Sequence, residues 1–255
     1  MDNETIYNVV GNTDNPVMNG ASDKENAFIV ESGNTTINNY DSWEKIKVSG
    51  TIQNWVVDNN DFVVNTDNGS VRVSDARGKM MEFYNGDDEF IMHVCLQVPG
   101  ATFNGDGEDY LYYNEETEEY ETHNYGRYHE PLVVVGSSKG ANTAIAGDGG
   151  SILWGGAGKT DDLLVGGDGV DVFIYDYGQG SDAVISDEED SIVMNNTSVD
   201  DIKGYAVESN SVRFVFNDFG SLSVYGRANQ FIIGDDTYTC DYDNSKVLVK
   251  STTEE

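Results

Sequence analysis

Nine consecutive residues constrain this chain more than any other stretch: Gly166-Gly167-Asp168-Gly169-Val170-Asp171-Val172-Phe173-Ile174. They fit the nonapeptide G-G-x-G-x-D-x-U-x at every fixed position, U being a bulky apolar residue. Six residues make a turn and three make a short strand. The glycines reach backbone angles that other residues avoid. They also let neighbouring turns approach so closely that backbone carbonyls face one another. The spacing predicts Phe173 pointing inward, with Val172 and Ile174 pointing away from the core.

Imperfect copies surround this one. Asn104-Gly105-Asp106-Gly107-Glu108-Asp109-Tyr110-Leu111-Tyr112 has Asn for the first Gly. Ala146-Gly147-Asp148-Gly149-Gly150-Ser151-Ile152-Leu153-Trp154 has Ser151 where the Asp belongs. Gly155-Gly156-Ala157-Gly158-Lys159-Thr160-Asp161-Asp162-Leu163 fits with two residues inserted before Leu163, and Gly178-Gln179-Gly180-Ser181-Asp182 is a truncated turn. Two nonapeptides make one coil of a parallel β-roll, so turns two repeats apart stack. The Asp168/Asp171 turn is expected beside the Asp148 turn, and the Asp161/Asp162 turn beside the Asp182 turn. Carboxylates and turn carbonyls form an all-oxygen donor set, which suits the hard cation calcium. The candidate ligands are Asp171 and Asp168 with the turn of Gly166, Gly167 and Gly169; Asp148 with Gly147; Asp161, Asp162 and Asp182; and Asp106 and Asp109. Ser151 carries no charge and Lys159-Thr160 disturbs one turn, so the expectation is about one to three calcium sites rather than a full ladder.

These motifs resemble the RTX, or haemolysin-type, calcium-binding repeats of bacterial secreted proteins. Tyr110-Leu111-Tyr112-Tyr113-Asn114 and Asn124-Tyr125-Gly126 resemble tyrosine-rich versions of the repeat. Gly69-Ser70-Val71-Arg72-Val73-Ser74-Asp75-Ala76-Arg77-Gly78-Lys79 resembles β modules that accompany such repeats. The resemblance implies calcium binding, a parallel β-roll, export by a type I pathway and folding after export.

Elsewhere, short β-branched or aromatic runs such as Ala27-Phe28-Ile29-Val30, Asp61-Phe62-Val63-Val64 and Val212-Arg213-Phe214-Val215-Phe216 lie between Gly, Asn and Asp clusters. No long amphipathic helix is evident. The chain also contains itself twice. Ala27-Phe28-Ile29-Val30, Ile46, Asn60–Val64 and Gly69–Val73 return in order as Val172-Phe173-Ile174-Tyr175, Ile192, Ser211–Val215 and Gly220–Val224. Two copies of a β module therefore cover roughly 1–95 and 166–255. The predicted fold is all-β, a parallel β-roll (an RTX-like solenoid) flanked by two related β modules. The expected division is 1–95, 96–182 for the roll, and 183–255 as a module capping it.

Forty-six acids against 14 bases give a net charge of −32. Nucleic acid and anionic membrane surfaces are poor partners for such a chain. The charge also opposes compaction unless cations offset it. No apolar run is long enough to span a membrane, and the first residues lack the pattern of a signal peptide. Cys95 and Cys240 allow one disulfide at most.

Other motifs carry less. Gly136-Ser137-Ser138-Lys139-Gly140 matches a nucleophile elbow, but glycines follow where a helix is needed, and His93, His123 and His129 all precede Ser138. Gly156-Ala157-Gly158-Lys159-Thr160 lacks the first Gly of a phosphate loop. His123 and His129 have no diagnostic metal spacing. Six tyrosines among acids over 110–128 suit either solvated repeat strands or sugar binding. The expected function is a calcium-binding structural or interaction module, such as part of an adhesin, with no catalysis of its own, located outside the cell. Cell-surface or glycan ligands are candidate partners. The alternatives are the calcium-binding appendage of a secreted hydrolase or toxin, and a lectin-like domain.

Overall fold

The structure is a computed structural model that describes residues 16–21, 26–105, 130–218, 220–244 and 248–251, with the backbone of two strands at 109–114 and 119–124. It divides into two compact units, Met1–Val98 and Pro99–Glu255. Both are built of short strands. Among the described residues there is no α-helix, and hence no helix long and apolar enough to cross a membrane.

The first unit contains β1 (Val17–Asn19), β2 (Ala27–Val30), β3 (Gly33–Asn38), β4 (Lys45–Val48), β5 (Ile52–Asp58), β6 (Asp61–Thr66), β7 (Gly69–Val73), β8 (Met80–Tyr84) and β9 (Phe90–Leu96). Strands β1, β3 and β7 lie side by side in parallel, and β6 and β5 extend that sheet antiparallel. Strands β2, β4 and β8 form a second parallel row, to which β9 adds antiparallel. Strands β1 to β4 thus alternate between two sheets, as in a roll, before β5–β7 complete one sheet and β8–β9 the other.

The second unit repeats this plan at greater length. It contains β10 (Thr102–Asn104), β11 (Asp109–Asn114), β12 (Glu119–Asn124), β13 (Leu132–Val135), β14 (Thr143–Ile145), β15 (Ser151–Trp154), β16 (Leu163–Val165), β17 (Val172–Asp176), β18 (Ser181–Ile185) and β19 (Ser191–Asn195). After a 3-10 turn at Val199–Asp201 come β20 (Ile202–Val207), β21 (Ser211–Phe216), β22 (Ser221–Tyr225), β23 (Gln230–Ile233), β24 (Asp236–Cys240) and β25 (Leu248–Lys250). One parallel row runs β10-β14-β16-β18-β22 and the other β13-β15-β17-β19-β23. Strands β21 and β20 extend the first row antiparallel, while β24 and β25 extend the second. Strands β11 and β12 form an antiparallel hairpin.

Period-2 alternation sends every second side chain inward, so each row contributes a column to the core. Val134, Leu153, Phe173, Ile192 and Phe231 are register partners in turn, and all are fully buried. Ala144, Leu164, Val184 and Val224 form the facing column. Val172 and Ile174 are half-buried, as the nonapeptide spacing predicts. In the disturbed repeat the inward residue is Leu164, two positions after Asp162 as Phe173 is two after Asp171. Equivalent turn residues recur every 19 or 20 positions.

The internal duplication appears as shared topology. Strands β2 to β9 correspond in order to β17 to β24. The parallel pairs β2–β4, β3–β7 and β4–β8 match β17–β19, β18–β22 and β19–β23. The hairpins β5–β6 and β8–β9 match β20–β21 and β23–β24. Even the bulge between Ile52 and Asn54 returns between Ile202 and Gly204. The columns Phe28-Ile46-Phe83 and Phe173-Ile192-Phe231 are the same core made twice. The second copy opens with β17, inside the glycine-rich run, so the module and the roll are one architecture.

Stacking demands glycine where turns touch. A Cβ on Gly167 would lie 1.8 Å from the Gly147 carbonyl oxygen, whereas one on Gly204 would meet nothing within 4 Å. Gly167→Ala is therefore expected to destabilise the protein by at least about 1–3 kcal/mol, since a rung of backbone must shift. Gly204→Ala should be nearly neutral. Urea unfolding followed by circular dichroism, at one fixed calcium concentration, compares the two; equal midpoints would contradict the turn stacking.

Candidate cation site at the stacked turns

Several strands of the roll carry a polar residue at or just before their first position. In one row these residues are Ser151, Asp171 and Asp190; in the other they are Asn142, Asp162 and Asp182. Their side chains join successive rungs. Asp171 Oδ1 accepts the backbone N–H of Ser151 at 2.8 Å, and Asp190 Oδ1 accepts that of Asp171 at 2.8 Å. Asp162 Oδ1 accepts the N–H of Asn142 at 2.7 Å, and Asp182 Oδ1 that of Asp162 at 3.0 Å. The second oxygen ties down the residue's own turn. Gly167 N–H donates to Asp171 Oδ2 and Asp187 N–H to Asp190 Oδ2, both at 2.8 Å.

These carboxylates are deeply placed: Asp171 and Asp190 are 0% exposed, Asp162 3% and Asp182 4%. Among the described residues no lysine or arginine pairs with any of them. Burial disfavours the charged form. It pushes the carboxyls of Asp162 and Asp190 up to about 6 and that of Asp182 up to about 7. It raises Asp171 as well. The accepted N–H groups oppose these shifts, and the neighbouring carboxylates reinforce them.

The two Asp ladders are not equivalent in reach. A Cβ on Gly166 would stand 3.0 Å from Asp171 Oδ2 and 3.0 Å from Asp190 Oδ2. The glycine thus keeps open a cradle on which two carboxylate oxygens converge. Hard cations take oxygen ligands, so these two carboxylate oxygens are donors of the kind calcium takes. No group of three or more His, Cys, Asp or Glu side chains gathers among the described residues. The backbone carbonyls of Gly147 and Asp148 lie against the Gly167 and Gly169 positions of the same turn.

The sequence-predicted residues fall into three groups. Asp171, Asp162 and Asp182 lie on the ladders, with Gly166 and Gly167 beside Asp171. The Asp168 turn lies on the Asp148 turn, as Gly169 over the Asp148 carbonyl shows, and Ser181 N–H donates to Asp161 Oδ1 at 2.9 Å. Asp161 and Asp168 are exposed and Asp148 is half-buried, away from the ladder carboxylates in burial. Asp106 and the side chain of Asp109 lie outside the described residues, as do the side chains of the 110–128 tyrosines, His123 and His129. The sequence reading missed Asp190 and Asp187. No glycine flags their turn, Ser186-Asp187-Glu188-Glu189-Asp190, but the 19- and 20-residue recurrence of Asn, Ser and Asp at strand entrances would have found Asp190.

Ser138 is exposed in a turn that leads into strand β14, and Lys159-Thr160 in one that leads into β16. Cys95 and Cys240 are free, and burial pushes their thiols up to about 12 and about 11.

The raised carboxyls set a pH dependence. Unfolded aspartates release their proton near pH 4, whereas Asp162, Asp190 and Asp182 keep theirs to about 6 or 7. The folded state binds more protons in that window, so stability falls as pH rises through it. In chelator, the thermal midpoint should be higher at pH 5 than at pH 8. Asp182→Asn keeps an acceptor for the Asp162 N–H and should flatten the slope. A midpoint that climbs with pH would contradict the burial of these groups.

No family model matches this chain, and no curated protein sequence does. Among solved structures, it is similar to the extracellular lipase LipA from Serratia marcescens, with a TM-score of 0.35 and 17% identity over 87% of this chain. The match takes in 36% of the lipase chain.

Proposed function

We propose that this chain is a calcium-binding structural and interaction module of a secreted or cell-surface bacterial protein, and that it completes its folding on taking up the ion. The observation that carries the reading is the convergence of Asp171 Oδ2 and Asp190 Oδ2 on the space beside Gly166. Two buried carboxylates directed at one point need either a proton or a cation between them. The −32 charge favours the cation. Asp171 and Asp190 would hold it through Oδ2 while each Oδ1 stays on its backbone amide. Asp162 and Asp182 repeat only the Oδ1 ladder on the other row, and the exposed Asp161, Asp168 and Asp187 raise the local concentration of cations.

When bound, calcium supplies charge neutralisation and a link between turns, so its binding free energy becomes folding free energy. A module of this kind suits the space outside a cell, where calcium reaches the level that weak extracellular sites require. The resemblance of the nonapeptides to exported repeats supports the same location. No catalytic role is proposed for any residue. A second reading also has an observation behind it: each ladder carboxylate already accepts backbone N–H groups, which suffices for a metal-free structural spine.

Titration separates the two. Circular dichroism and thermal melting are expected to show a compact β-rich chain in ~1 mM calcium, a typical extracellular-module level, and a less compact one with a lower thermal midpoint in chelator. Magnesium should substitute poorly, since it demands a tighter octahedral shell. By isothermal titration, Asp171→Ala should weaken calcium binding by about tenfold or more, because even residues that only orient a metal's ligands are commonly worth that much. Asp171→Asn should fall between it and the parent. Glu208→Ala removes the same charge from an exposed hairpin turn and should change affinity little. Equal losses for Asp171→Ala and Glu208→Ala would favour the metal-free spine.

A further inference from the structure

The duplication permits an atom-by-atom comparison at one turn. Asn26 precedes β2 as Asp171 precedes β17, and Glu44 precedes β4 as Asp190 precedes β19. The hydrogen bonds match. Asn26 N–H donates to Glu44 Oε1 at 3.2 Å, as Asp171 N–H does to Asp190 Oδ1. Asp41 N–H donates to Glu44 Oε2 at 2.8 Å, as Asp187 N–H does to Asp190 Oδ2. The glycines match as well. A Cβ on Gly20 or on Gly166 would lie 3.2 Å from the ring tip of Phe28 or Phe173 respectively. The polar atoms facing the glycine differ. Beside Gly20 they are the Asn39 carbonyl oxygen at 2.5 Å and the amide nitrogen Nδ2 of Asn26 at 3.3 Å; beside Gly166 they are the carboxylate oxygens Oδ2 of Asp171 and Asp190, each at 3.0 Å. The residue before the strand thus presents an amide in one unit and a carboxylate in the other.

That exchange changes the chemistry. Asn26 Nδ2 carries hydrogens and donates them to Glu44 Oε1 and to the Ala21 carbonyl. The Glu44 carboxylate, 3% exposed, is thereby met by N–H donors from Asn26 and Asp41 and needs no cation. The Asp171 side chain has no hydrogen to offer Asp190, so in the second unit two carboxylates that accept only backbone N–H groups face one another at this turn.

We infer that the residue before β2 and β17 decides which unit depends on the cation: Asn26 makes the first unit independent of it, and Asp171 makes the second unit dependent on it. This rests on the calcium reading above. The first unit then folds in chelator, and the second gains its protection only with the ion.

Hydrogen exchange of the full chain, read by mass spectrometry over residues 26–48 and 166–195 in chelator and in calcium alone, tests it. The parent chain should be protected over 26–48 in both conditions and over 166–195 only in calcium. Asn26→Asp should lower protection over 26–48 by about tenfold or more in chelator, the size of a one-unit shift between opposed carboxylates. Calcium should restore it, because the Asn39 carbonyl oxygen, 2.5 Å from the Gly20 position, offers a further ligand. Asn26→Ala removes the same amide without adding charge, so any loss it causes should not respond to calcium. If 166–195 responds to calcium but Asn26→Asp loses no protection over 26–48, or loses it without recovery, this inference is overturned and the calcium reading stands. A parent chain in which neither segment responds to calcium sinks both. Calcium-dependent protection of both segments in the parent chain overturns the assignment of independence to the first unit.

Discussion

The hydrogen bond that a backbone N–H donates to a turn's carboxylate one rung away is the interaction on which the roll depends. A parallel stack of short strands has a recurring weakness. Its turns leave backbone donors inside the structure with no strand partner, and each would be costly if unpaired. Asp171 answers this for Ser151, and Asp190 answers it for Asp171. Because an aspartate has two oxygens, the same side chain also secures its own turn, as Asp171 does with Gly167. The ladder thus fixes the distance between rungs and the shape of each turn together. The inward columns of Val134, Leu153, Phe173, Ile192 and Phe231 can interlock only because that spacing is held.

This solution has an electrostatic consequence. The carboxylates that satisfy the donors are buried, and burial makes their charge costly. Hydrogen bonds from N–H groups offset part of that cost, but Asp171 and Asp190 approach one another at the Gly166 cradle. The site's appetite for a cation, as proposed, is then a by-product of how the turns are built and not a separate addition to the fold. The first unit solves the same backbone problem with Glu44 and Asn26, using an amide where the second unit uses an acid. Identical topology with different charge at one position is how a duplicated module can diverge in its dependence on solution conditions without changing its core.

Much of this was legible in advance where the signal was local. The nonapeptide at 166–174 contains both the turn and the inward Phe173, so nine residues sufficed to place them. The duplication was legible because core residues such as Phe28 and Phe173 recur with their glycines. Asp190 was not, because it is tied to Asp171 across 19 residues and its own turn, Ser186 to Asp190, has no glycine signature. The inward residue of the disturbed repeat was left unassigned for a related reason. Counting along a repeat with an insertion leaves the register ambiguous by one, and only the pairing of Leu164 with Ala144 and Val184 resolves it.

By itself, then, the sequence determined the all-β class, the parallel glycine turns, the repeat and the excess of acid. These are properties of short stretches and of composition, and chain connectivity is enough to express them. Only the tertiary structure decided which of the many acids are buried and which oxygens converge. Asp168 and Asp171 are three residues apart in one motif, yet Asp168 is exposed and Asp171 lies wholly inside. The difference arises because side-chain direction at a turn is set by the rung stacked against it, and that rung comes from residues about 20 positions away.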